Sequence, residues 1–138
     1  MTNYFIMVGN EDNWQAAKNE GLWAASSKKT MKDVAKGDKI VAYVSGWCAF
    51  KGVFRATSGF YQDKTPIFGY ERGIYPYRVK ITPEILLENP VSIRPLINKL
   101  SFIKDAEIWG AYFQQSVRKI SREDFEKILS HIKSEASI

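Results

Sequence analysis

Two short apolar runs, residues 39–45 (KIVAYVS) and 50–57 (FKGVFRAT), are separated by only four residues, Gly46 and Trp47 among them. Runs of this length, rich in branched and aromatic residues and joined by so short a link, predict a β-hairpin. A chain with a hairpin here must build a sheet at its centre. In the second arm Phe50, Gly52, Phe54 and Ala56 alternate with Lys51, Val53, Arg55 and Thr57. On a regular strand that alternation places the aromatics on one face and Lys51 and Arg55 on the other.

The flanking segments supply further elements. Residues 4–8 (YFIMV) read as a buried strand. Asp12 as N-cap, Gln15 at the third helical position and Gly21 as closing residue predict a helix over 13–20, with Trp23 presented at its exit. Residues 31–35 suit one helical turn before a turn at 36–38. Residues 58–73 form a long loop in which four aromatics alternate with Gly, Pro and polar residues; loops of this kind are functional or disordered, and the aromatics argue against disorder. A strand is expected over 75–81, a helical turn over 83–87 and a short helix over 93–100, while 107–115 reads equally as helix or irregular structure. Ser121, with Asp124 completing a capping box, starts the last helix, whose apolar stripe is Phe125, Ile128, Leu129 and Ile132. Strand–helix alternation is missing, and no repeat or linker interrupts the 138 residues. The expectation is one α+β domain over 1–138 with a curled or closed sheet.

Composition narrows the chemistry. A formal charge of +5 and a pI of about 9.3 favour a polyanionic partner. A single cysteine, Cys48, rules out an internal disulfide and a cysteine-cluster metal site, and the single histidine, His131, falls in the last helix, so neither metal nor cofactor is expected. The apolar runs fall far short of the ~20 residues a membrane helix requires, and the start reads as neither signal peptide nor span; a cytoplasmic location is expected. No phosphate-binding glycine loop, nucleophile elbow or zinc-protease pattern occurs. The acidic pairs Glu11–Asp12 and Glu123–Asp124 sit at helix starts, where they complement the dipole.

What remains is aromatic and basic, with aromatics at 14% of the chain. Trp23, Trp47, Tyr61, Phe68, Tyr70 and Trp109 lie at element ends or in loops, where a ring either packs a satellite core or stacks on a flat ligand. Lys28, Lys29, Arg78 and Arg118 are among the cations available for phosphate contacts or for ordinary surface solvation.

Several motifs taken in order carry a family likeness. Phe5-Ile6-Met7, Asn13, Ala17-Lys18 and Gly21-Leu22-Trp23 resemble the opening of the EVE and YTH families, both PUA-like. Gly37-Asp38-Lys39-Ile40-Val41-Ala42-Tyr43, Phe50-Lys51-Gly52-Val53-Phe54, residues 75–81 and Trp109-Gly110-Ala111-Tyr112-Phe113 are similar to the small stand-alone EVE proteins of prokaryotes. The resemblance implies a PUA-like mixed pseudo-barrel of about six strands with flanking helices. It also implies a non-catalytic module that binds nucleic acid and recognises a modified base, a methylated adenine or a methylated or hydroxymethylated cytosine, in an aromatic pocket. By position it makes Trp23 the first wall and Phe68 the second, where YTH proteins place a tryptophan. Gly9 and Asn10 fall where those proteins hold a base-contacting Asn. Trp47 and Trp109 complete the candidate base contacts; Lys28, Lys29 and Arg118 are the candidate phosphate contacts.

Two other readings stand beside this one. A small enzyme acting on a nucleotide-like ligand would need a general base such as Asp63 or Glu71 in the pocket. A structural or interaction module would use the aromatics as core and leave no open cavity beside Trp23.

Overall fold

Strand β1 (Tyr4–Gly9) is apolar along its length because the sheet is covered on both faces: Phe5 and Met7 enter one core and Ile6 the other, all fully buried. The computed structural model describes residues 1–67 and 75–136. Helix α1 (Glu11–Glu20) follows at once, capped by Asn10, whose side-chain oxygen accepts the Asn13 N–H at 2.8 Å. It therefore starts ahead of the Asp12-capped span 13–20 expected above. Asn and Asp cap equally well; because β1 runs through to Gly9, residue 10 is the one left extended at the junction. At the other end Gly21 adopts the left-handed conformation (φ 68°) and returns its N–H to the Ala17 carbonyl, as expected.

Strand β2 (Leu22–Ala25) begins directly after that cap, with Trp23 its second residue. β3 (Lys39–Val44) lies parallel to β1 and antiparallel to β4 (Ala49–Ala56), so the central hairpin forms as predicted, closed by a 3-10 turn at Ser45–Trp47. Its second arm is not regular. Where β4 meets β6 (Tyr77–Ser92), the register shifts between Phe50 and Gly52 and again between Val53 and Phe54. Against β3 the pairing runs Tyr43↔Phe50 and then Ala42↔Gly52, so Lys51 is a bulge that resets the alternation of β4 once, between Phe50 and Gly52. Phe50 therefore packs with Tyr43 and Val53 on one face while Phe54 packs with Trp14 and Trp23 on the other, correcting the single aromatic face expected from periodicity.

β6 also absorbs residues 83–87, expected to be helical. Pairing with β4 overrides the local signal there, and Pro83 is tolerated because it lies at one of the irregularities. The two-residue β5 (Tyr61–Gln62) pairs with the start of β6, and β7 (Val117–Ile120) with β1. The strand order β2-β6-β4-β3-β1-β7, with β5 beside β6, is a mixed sheet curled into a half-barrel. A 3-10 segment at Ala106–Phe113 and α2 (Arg122–Glu135) cover one face through Phe113, Phe125, Ile128 and Ile132; α1 covers the other through Trp14 and Ala17. Among the described residues no helix is long and apolar enough to cross a membrane.

Ser121 caps α2 as expected, but Asp124 does not complete a capping box. Its carboxylate is buried and accepts both the backbone N–H (2.9 Å) and the hydroxyl (2.6 Å) of Ser101, tying α2 to the loop ahead of the 3-10 segment. Asp124→Ala leaves both donors without a partner and is expected to destabilise the protein by about 3 kcal/mol in urea unfolding. Asp124→Asn, which keeps one acceptor, is expected to lose less.

Candidate nucleic-acid interface

The Gly21 cap turns the chain so sharply that the side chain of Trp23 returns beneath the first turn of α1. A Cβ placed on Gly9 would stand 3.2 Å from Trp23 Cζ2 and 3.1 Å from Asn13 Cβ. The end of β1, the start of α1 and the start of β2 thus converge on one spot, bounded by an indole edge and an amide side chain. Asn13 is half-buried, and its amide makes no hydrogen bond among the described residues. It belongs to the motif that carries the family likeness, yet sequence reasoning did not assign it to the site. The available signal was its helical position: three residues after the cap it points back toward β1.

The other expected contacts are distributed unevenly. Trp23 is 1% exposed and shares its core with Phe5, Met7, Trp14 and Val79, and half-buried Trp47 packs on that same core. Such burial of Trp23 is what a packing role also produces. Asn10 is exposed at the mouth of the site, its oxygen committed to the helix cap. Trp109 lies on the opposite face of the sheet, edge-on to Phe113 (6.2 Å) and beneath the Arg94 guanidinium (5.5 Å), so the structure does not bring it to Trp23. Phe68, Tyr70 and Glu71 lie outside the described residues.

Of the cations, Lys28 and Lys29 are exposed in the segment that leaves β2, and Lys28 Nζ stands 5.8 Å from the ring of Phe60, itself stacked on Tyr77. Arg118 is braced internally: Nε donates to the Tyr112 carbonyl at 2.9 Å, the guanidinium lies over Phe102, and burial lowers its pKa. Arg78, buried, donates to the carbonyls of Tyr75 and Thr65 and lies 3.6 Å from the Asp63 carboxylate. The Thr65 backbone N–H, the Thr65 side chain and Arg78 hold Asp63 below the usual carboxylate range, against a smaller opposing effect of burial. A carboxylate so stabilised is a weak base near neutrality, and Asp63 directs its oxygens to Thr65 and Arg78. Among the described residues no group of three His, Cys, Asp or Glu side chains stands together as a metal site.

Open clefts lie elsewhere on the surface. Grooves of about 550 and 640 Å³ flank His131 on α2, but their walls carry Glu88 and Glu135 in one and Glu123 and Glu126 in the other. Volume alone does not make either a seat for a base on a polyanion.

A mixed half-barrel flanked by helices, with a tryptophan second in its second strand beside the first helix, is a PUA-like fold. The EVE domain profile matches residues 3–131, and the chain belongs to that family. It is 36% identical to a UPF0310 protein of Pyrococcus abyssi over 93% of this chain and 98% of the relative, and 34% identical to one of Pyrococcus horikoshii over 91% and 95%. In fold it is similar to the Mmi1 YTH domain (TM-score 0.70, 17% identity, 97% of each chain). It is also similar to the YTH domain of Zygosaccharomyces rouxii MRB1 solved in complex with N6-methyladenosine RNA (TM-score 0.69, 18% identity, 96% of this chain and 87% of that one).

Proposed function

We propose that the chain is a non-catalytic nucleic-acid-binding module that recognises a modified base, methylated adenine or methylated or hydroxymethylated cytosine, at the junction of β1, α1 and β2. The observation that carries this reading is the Asn13 amide, without a hydrogen bond among the described residues, beside the Trp23 indole, both in reach of Gly9. An aromatic surface and an amide with free donor and acceptor are the two groups a base pocket needs, one for the ring and one for its edge. Membership of the EVE family and the likeness in fold to a YTH domain that was solved with N6-methyladenosine RNA support it.

The energetics are compatible. Unstacking a base costs a few kcal/mol in a duplex and little in a single strand. Stacking on an aromatic returns about 1–3 kcal/mol, and an enclosed methyl adds about 0.8 kcal/mol. One methyl therefore discriminates only several-fold unless the site also rejects the unmodified amine, and phosphate contacts must supply much of the affinity. Lys28 and Lys29 serve there, with Arg118 contributing the N–H groups that Tyr112 leaves over; the family likeness assigns the second wall to Phe68, which lies outside the described residues. Because Trp23 is almost wholly covered, the base gains its face only as the covering groups move aside.

The test is binding to short single- and double-stranded DNA and RNA carrying methyladenine, methylcytosine or hydroxymethylcytosine. Wild type should prefer one modified member, and Asn13→Ala should weaken that complex about tenfold, the worth of one hydrogen bond, with the thermal midpoint nearly unchanged. Equal, weak binding across the panel, the same in wild type and variant, would sink the reading. The enzymatic alternative would then return only if a nucleotide were turned over.

A further inference from the structure

The segment that leaves β2 faces the residues ahead of β7 across a cleft of about 260 Å³. Its floor is apolar: Met31 and Val117 are buried and belong to the same core as Trp23. Lys29 and Thr30 stand on one wall, and Gln114 and Gln115 on the other. Both glutamines are exposed, and neither amide makes a hydrogen bond among the described residues.

Three features distinguish this cleft. First, no carboxylate lines it among the described residues, whereas Glu88, Glu123, Glu126 or Glu135 intrudes on the grooves around α2 and on the cavity beside Lys18 and Lys51. A cleft without carboxylates opposes a partner that carries a phosphate at every residue with no like charge. Second, it adjoins the base site. The Ser116 carbonyl on its rim accepts the Val8 N–H at 2.8 Å, next to Gly9, and its other wall begins two residues after the end of β2. Third, its chemistry suits a flat heterocycle. The volume falls just below the roughly 300 Å³ at which clefts for drug-sized ligands begin, with an apolar floor for a ring and amides placed at its edge. A glutamine amide offers a donor beside an acceptor, the pattern that pairs with a base edge, while Lys29 is at hand for the phosphate.

We propose that this cleft receives the base of the nucleotide adjacent to the modified one, so that the module reads a modified base together with one neighbour. The inference rests on the base-binding reading above and adds sequence context to it. Gln114 and Gln115 are the residues that set the preference.

Fluorescence anisotropy on single-stranded RNA and DNA 9-mers tests it, with N6-methyladenine or 5-methylcytosine at the centre and each of the four bases on either side. The free modified nucleosides are measured in parallel. Wild type should distinguish the bases at one flank by about tenfold. Gln114→Ala/Gln115→Ala should abolish that distinction, keep the wild-type thermal midpoint and bind the free nucleoside as before. No flank dependence in wild type, or dependence that survives in the double variant, would overturn the proposal. If wild type ignores the modification but still distinguishes one flanking base, and the double variant does not, the modified-base reading fails and the cleft stands.

Discussion

Trp23→Ala is expected to lower folding stability by about 3–5 kcal/mol, the cost of emptying a buried indole site, read as a shift of the urea midpoint with unchanged slope. The indole is 1% exposed and is packed among Phe5, Met7, Trp14 and Val79 beneath α1. This has a direct bearing on function. Lost binding in Trp23→Ala reports on stacking only where the variant is still folded, so the measurement belongs well below its midpoint and beside Trp23→Phe, which keeps an aromatic face. Binding is expected to fall more in the alanine variant than in the phenylalanine one. A folded Trp23→Ala that binds the modified base as wild type does would remove the indole from the site. A loss of stability under 1 kcal/mol would contradict the burial itself.

Gly52→Ala is expected to be at least as disruptive, although it adds a single methyl. A Cβ at this position would stand 2.5 Å from the Ile85 carbonyl oxygen and 3.2 Å from Cε1 of Phe54. The first neighbour is backbone and cannot rotate away, so β4 and β6 must part. Overpacking commonly costs about 1–3 kcal/mol, and a backbone clash in the middle of a strand pair belongs at or above the top of that range. Among the described residues β2 joins the rest of the sheet through β6, and β6 through β4. The seam at Gly52 therefore also holds Trp23 in register with β1. Reduced protection of the β2 and β6 amides in hydrogen exchange, together with a fall of 3 kcal/mol or more in unfolding free energy, would establish this; a variant as stable as wild type would show that the seam can shift at little cost.

Legibility in the sequence followed the range of the interactions. The central hairpin, β1, the Gly21 cap and the apolar stripe of α2 were readable because each rests on residues close in sequence, whether through alternation, a 3.6-residue repeat or a capping residue. β2 (LWAA) and β7 (VRKI) have only four residues each and exist because β6 and β1 offer them hydrogen bonds; in isolation neither carries a strand signal. Residues 83–87 turned from helix to strand for the same reason. Lys51 shows how non-local the cause is: its ammonium donates to the carbonyls of Leu87 and Glu88, 36 and 37 residues away, and holds the irregular stretch of β6 against β4.

The candidate site divides in the same way. From its sequence alone the chain determined its family likeness, its central hairpin, its basic balance and the placing of Trp23 just past a helix, because these depend on residue identity and short spacings. Only the tertiary structure decided that Trp47 shares a core with Trp23 while Trp109 lies across the sheet, that Arg118 is braced rather than free, and that Asn13 joins the indole at Gly9. The sheet has two covered faces, and a residue's face depends on bulges and strand partners far away in the chain; the single bulge at Lys51 of β4 is enough to send Phe50 and Phe54 to opposite cores.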